Sequence, residues 1–379
     1  MKITRKLVMG SQSCLGGTGI PLRKLLLVAG VFSLMSFSPL MAQDNDRNQP
    51  FLPTPVRSVS TVPANGDVNP YGVAFVPAHF PSGGTVNPGN ILVSNFNNSK
   101  NLQGTGTTII DVPAVGSPTV FFQGQAPLGL STALNILQKG FVLVGNFPST
   151  DGTCGTAQPG SILVINKSGQ QVGSIADPSF INGPWDSALF DQGNTAKFFV
   201  ANGLTGTIAR LNLVVGASGV TVASATQIAS GYGFQCDPVT FVDAPTGLVY
   251  DPEQDVLYVA STVDNTVFAV QDAGGRTRDG GKGRVVYTDA THLHGPLGMA
   301  MAPNGHLVVS NNDAINPDPN QPSEIVEFTT AGKFAKQISV DPAQGGSFGL
   351  AIASSGDVAR FAAVDDNASI LLIWTLPLP

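Results

Sequence analysis

Residues 295–312 read GPLGMAMAPNGHLVVSNN. A Pro-x-Gly turn leads into a short apolar run. An Asn-Gly turn follows, then a second apolar run closed by a pair of Asn. Short apolar runs bounded by Gly, Pro and Asn read as β-strands joined by tight turns. The same order recurs along the chain at Pro70-Tyr71-Gly72, Pro127-Leu128-Gly129, Pro184-Trp185-Asp186, Pro245-Thr246-Gly247 and Ser347-Phe348-Gly349. Aligned on the third residue of the turn, the copies are spaced by 51 to 61 residues. A period of that size corresponds to one supersecondary unit per copy.

Each unit holds more than the two runs of the opening stretch. A third run follows in every copy, as at residues 107–112 and 266–270. A fourth follows in the first five, as at 119–122 and 336–340. The sixth copy lacks a fourth run, and a spare strand-like run at 56–62 precedes the first. The pattern therefore predicts an all-β fold, a six-bladed β-propeller of four-stranded antiparallel blades. Its last blade is closed by the N-terminal strand. Radial closure leaves few open sheet edges. With 44 Gly, 28 Pro and only 12% charged residues, the composition suits a chain of buried strands and frequent turns. The expected organisation is a signal peptide over 1–42, a linker over 43–55 and the propeller over 56–379.

The signal-peptide expectation rests on Lys2, Arg5, Lys6, Arg23 and Lys24 ahead of the apolar run 25–37, too short to span a bilayer comfortably. Export to the periplasm or beyond is expected, with no integral membrane segment after signal removal. Those five residues are among 19 basic ones against 25 acidic, so the exported chain is more acidic than the formal charge of −6. That balance argues against a nucleic-acid partner. Cys154 and Cys236 fall in loops expected on one face, and an oxidising compartment permits a disulfide between them.

The units around Pro70, Pro245 and Pro296 resemble NHL-type repeats and the related six-bladed propellers of the gluconolactonase and paraoxonase families, over roughly residues 56–376. In those lactonase-like families, acidic and Asn side chains at the mouth of the central tunnel hold a calcium ion. The resemblance therefore implies Ca²⁺ here, with Asn146, Asn202, Asn311 and Asp365, at the ends of second strands, as its expected ligands.

Asn95, Asn146, Asn202, Ser261, Asn311 and Asp365 all close second strands. A ring of their oxygens suits a hard cation or a polar ligand; strand termination by side chains that bond the nearby backbone explains the same recurrence. The long loops beyond them, including Asn312 and Asp313, form an expected ligand rim with Asn95 and Trp185. Trp185 either lines the axial tunnel or packs between blades. His294, at the entrance to the fifth copy, is the candidate general base. Two functions stand at this point: a binding module for a small polar ligand or a protein partner, and a calcium-dependent lactonase or esterase.

Overall fold

The computed structural model describes residues 51–54 and 56–378. The expected signal peptide lies outside them. Strand β1 (Arg57–Ser60) comes first. Blade 1 holds β2 (Val68–Phe75), β3 (Ile91–Asn97), β4 (Thr108–Val112) and β5 (Thr119–Gln123). Blade 2 holds β6 (Leu130–Leu137), β7 (Phe141–Asn146), β8 (Ser161–Asn166) and β9 (Gln171–Ile175). Blade 3 holds β10 (Pro184–Asp191), β11 (Thr195–Asn202), β12 (Thr207–Val215) and β13 (Val220–Ser230). A small hairpin, β14 (Gln235–Asp237) and β15 (Phe241–Asp243), follows. Blade 4 holds β16 (Pro245–Asp251), β17 (Val256–Ser261), β18 (Thr266–Gln271) and β19 (Arg284–Tyr287). Blade 5 holds β20 (Pro296–Met301), β21 (Leu307–Asn311), β22 (Glu324–Phe328) and β23 (Phe334–Ser339). Blade 6 holds β24 (Ser347–Ser355), β25 (Val358–Asp365) and β26 (Ile370–Pro377). Strand β1 pairs antiparallel with β26, so blade 6 is closed by the N-terminal strand as expected.

The blades pack face to face, which dictates their composition. Second strands are buried on both sides and read as unbroken apolar runs, such as FVLVGN in β7 and LVVSN in β21. Fourth strands have one face in solvent, and β5 and β9 are largely exposed. Hydroxyls tie neighbouring blades at their inner ends. Ser94 Oγ donates to Ser131 O (2.9 Å), Ser131 Oγ to Pro184 O (2.7 Å) and Thr262 Oγ1 to Pro296 O (2.9 Å). Each bond satisfies a buried carbonyl that a sheet edge would otherwise leave open.

Three features depart from the sequence reading. In blade 2, the partner of Asn146 is Leu130, whereas Pro70, Pro184 and Pro296 face Asn95, Asn202 and Asn311. The unit therefore starts three residues later than the Pro127-Leu128-Gly129 match, and Leu128 packs away from the axis. The hairpin β14–β15 occupies what reads as a plain connection. The end of the expected linker is also docked: Leu52 is buried, and the backbone N–H groups of Phe51 and Leu52 donate to Glu327 Oε2 (2.7 and 3.0 Å).

Cys154 and Cys236 form a disulfide with Cα atoms 5.5 Å apart. It joins the long loop of blade 2 to the β14–β15 hairpin across 82 residues of sequence. Closing a loop of that length restricts the unfolded chain, so the Cys154→Ala/Cys236→Ala variant should lose about 2–4 kcal/mol. Denaturant melts of the two proteins measure it; equal midpoints would show that the bridge contributes nothing.

Candidate functional site

The expected polar rim residues are buried and hydrogen-bonded to their surroundings, although Asn95 Oδ1 and Asp313 Oδ1 have no partner. Asn95 is fully buried, and its Nδ2 donates to Thr61 O and Thr108 Oγ1, both at 3.1 Å. Asn146 Oδ1 accepts from Gly129 N (2.9 Å), Asn202 Oδ1 from Asn182 N (2.9 Å) and Asp365 Oδ1 from Ala368 N (3.2 Å). Asn312 Oδ1 accepts from Ala314 N, and Asp313 Oδ2 from Ser323 N and Gly345 N. These side chains complete the backbone bonding of strand ends. Of the four expected calcium ligands, only Asn311 keeps an unpartnered oxygen, its Oδ1. As a set they do not supply the converging free oxygens that calcium requires. Among the described residues, no group of three or more His, Cys, Asp or Glu is arranged to hold a metal ion.

Blade 5 does gather three of the expected residues. His294 is buried, with Nδ1 against Asn316 O and Nε2 3.2 Å from Thr291 O and 3.5 Å from Glu324 Oε1. Asn311 Nδ2 donates to Glu324 Oε2 (3.2 Å). Glu324 Oε1 and Asp313 Oδ1 lack hydrogen-bond partners, and burial pushes the Glu324 carboxyl up to about 7. Both His294 nitrogens are engaged inside the protein, so its geometry fixes the loop to the blade and offers no lone pair to solvent. Residues 345–349 match Gly-x-Ser-x-Gly, but Ser347 is buried at the start of a strand rather than exposed on a strand-to-helix elbow.

The axis itself carries the informative geometry. The middle residues of the turns converge there. Tyr71 stacks on Phe348 and on Phe96, both at 4.6 Å between ring centroids, and meets Trp185 edge-on at 5.5 Å. Trp185 also meets Phe147 at 5.4 Å, and Phe241 of the hairpin closes the cluster against Phe147 at 5.3 Å. Blades 1, 3 and 6 thus touch one another through aromatic rings. Trp185 both packs and caps: it lies in a plug that seals the axis at the loop-rich face.

Below the plug lies a cavity of about 870 Å³, walled by the first strands of all six blades. Its lining reaches Pro88, Ser354, Ser355 and Val358, which are exposed at the opposite face, so it opens there. The walls are mixed: Val73, Leu134, Leu248, Met299 and Leu350 alternate with polar groups such as Thr132, Asn135 and Ser187. Asp186 lies at the blind end. It is 9% exposed, its Oδ1 accepts from Ser187 N (2.6 Å), and burial pushes its carboxyl up to about 7. Gly72, Gly247, Gly298 and Gly349 hold the matching position in four other blades. The signal for Asp186 was present in the sequence, as an acid where the other turns carry Gly. Arg360 at the mouth had none: it comes from a second strand and reaches the tunnel only through blade geometry.

No family model matches this chain, and no curated protein matches it. Solved structures do. A luciferin-regenerating enzyme is similar at a TM-score of 0.50 and 12% identity, covering 85% of this chain and 95% of that one. A protein described as calcium-binding regucalcin, from Agrobacterium tumefaciens, is similar at 0.50 and 13%, covering 85% and 95%. A protein described as a gluconolactonase reaches 0.49 at 12%. The six-bladed architecture is therefore that of the luciferin-regenerating-enzyme and regucalcin propellers, and at this identity the likeness extends to the fold alone.

Proposed function

We propose that this chain is an exported binding propeller that takes a small, elongated, amphipathic molecule into its axial tunnel from the face opposite the long loops. The observation that carries the reading is the axial tunnel of about 870 Å³, lined by both apolar and polar side chains, with a single carboxyl at its floor. Apolar surface with placed polar groups is what small-molecule sites have in common. The Cys154–Cys236 disulfide supports export, since such bridges persist in oxidising compartments. Anilinonaphthalene sulfonate, an apolar anion, should bind one per chain with enhanced fluorescence. Ala351→Trp, filling a half-buried position on the tunnel wall, should abolish it without lowering the melting temperature. Equal binding by the variant, or none by the wild type, would remove the reading.

The second reading is the calcium-dependent lactonase or esterase. The unpartnered oxygens of Asn311, Asp313 and Glu324 favour it, and so does the calcium-binding description of the regucalcin neighbour. It requires calcium to raise the melting temperature and lactones to be hydrolysed. The tunnel reading requires neither.

A further inference from the structure

The ionisable groups at the tunnel's two ends define what it recognises, given that it binds a small molecule at all. Asp186 is buried beneath the aromatic plug. Asp186 lines the tunnel, and the hydrogen bond it makes is at Oδ1, which accepts from the adjacent Ser187 N–H. A buried carboxyl is costly unless it hydrogen-bonds, and no other blade places an acid at this level. At the mouth, Arg360 is held in place. Its Nη1 donates to Gly89 O, and its guanidinium lies 5.0 Å from the Phe75 ring. Arg57 is within electrostatic reach and adds to the positive field. Asp191 also lines the mouth, but Gln138 N (2.7 Å) and Gly193 N (2.8 Å) occupy its oxygens. The mouth therefore favours an anion, and a planar guanidinium suits a carboxylate.

The separation of the two ends follows from strand geometry. Gly349 sits at the same level of its blade as Asp186, and Ala353, four residues further down β24, pairs with Arg360. Four strand residues span about 13 Å.

We propose that the tunnel takes an unbranched aliphatic acid bearing a hydroxyl at its far end, with the carboxylate on Arg360 and the hydroxyl on Asp186. The chain between them lies against the apolar side chains of the wall, among them Val73, Leu134, Leu248 and Leu350, where burying each methylene is favourable. The hydroxyl hydrogen-bonds the second carboxyl oxygen of Asp186, the one not engaged by Ser187 N. An aliphatic acid without the hydroxyl leaves that oxygen without this bond, and binding suffers accordingly.

Calorimetric titration of the full protein with decanoate and ω-hydroxydecanoate tests this. The hydroxy acid should bind about tenfold more tightly. Asp186→Leu should bind both acids equally, and Arg360→Gln should weaken both by about tenfold while keeping their ratio. Should the Leu variant fail to fold, Asp186→Ala makes the same comparison. Equal affinities in the wild type, or a preference that survives loss of the carboxyl, would overturn the inference while leaving the tunnel reading standing. Binding of neither acid nor the dye would remove both.

Discussion

Gly349→Ala should be among the most damaging single-methyl additions in the molecule, costing about 4–5 kcal/mol, the range reached only by severe core or backbone disruption. A Cβ built on Gly349 would lie 1.6 Å from Tyr71 O and 2.8 Å from Tyr71 C. The obstacle is backbone, so no rotamer change relieves it. Its location makes matters worse: Gly349 belongs to blade 6 and Tyr71 to blade 1, so the clash falls at the seam where the ring closes. Opening that seam also separates Tyr71 from Phe348 in the plug. Gly305→Ala provides the control. Nothing lies within 4 Å of its Cβ, and it pays only for a left-handed backbone at φ +79°, about 1 kcal/mol. Scanning calorimetry should show a fall of roughly 10 °C for Gly349→Ala and a few degrees for Gly305→Ala. A Gly349→Ala protein melting with the wild type would mean that the blades are not seated as described.

The repeat made the architecture legible because each copy writes the same chemistry. A turn residue, two buried runs and a polar strand end are local features, and a propeller is built by repeating local features. Blade 2 shows where such reading fails. Pro127-Leu128-Gly129 imitates the turn, yet the register of β6 against β7 starts at Leu130, and only strand pairing distinguishes the two. The Asn at the strand ends are a related case. Recurrence signals a shared position, and Asn146 and Asn202 there accept from backbone N–H groups of the same blade, but a sequence does not reveal which way an amide points. The plug was hidden because Phe96 and Phe147 follow the strand-end Asn in only two copies and Phe241 comes from the β14–β15 hairpin, outside the repeat. Asp186 stood out as an exception to the repeat. Exceptions to a structural pattern are where a chain departs from what folding alone requires.

Stability should decline as pH rises from about 4 to about 7.5, the reverse of a protein held by ionised carboxylates. Burial raises Asp186 and Glu324 to about 7 and Asp365 to about 6, and pushes Asp366, further affected by Asp365, well above its ordinary range. The unfolded chain releases these protons near pH 4, whereas the folded chain keeps them until pH 6 to 7. In that window the folded state holds more protons, so its stability falls with rising pH. The contribution is complete below the unfolded values and lost once the folded values are passed. Asp289 acts oppositely: held at about 2 chiefly through its hydrogen bonds to His292 and Tyr287, against the effect of burial, it adds stability above pH 4 that disappears on further acidification. The optimum should therefore lie near pH 4–5, with a loss on the order of 5 kcal/mol by pH 8 once coupling among the buried acids is allowed for. Asp186→Asn isolates one share of this. An amide cannot ionise, so the variant should melt with the wild type near pH 4.5 and above it at pH 8, by roughly 5 °C. Melting curves across that range settle the sign: a wild-type protein most stable at pH 8, or an Asn variant with an unchanged pH profile, would mean that the Asp186 carboxyl is charged and solvated rather than buried at the floor of the tunnel.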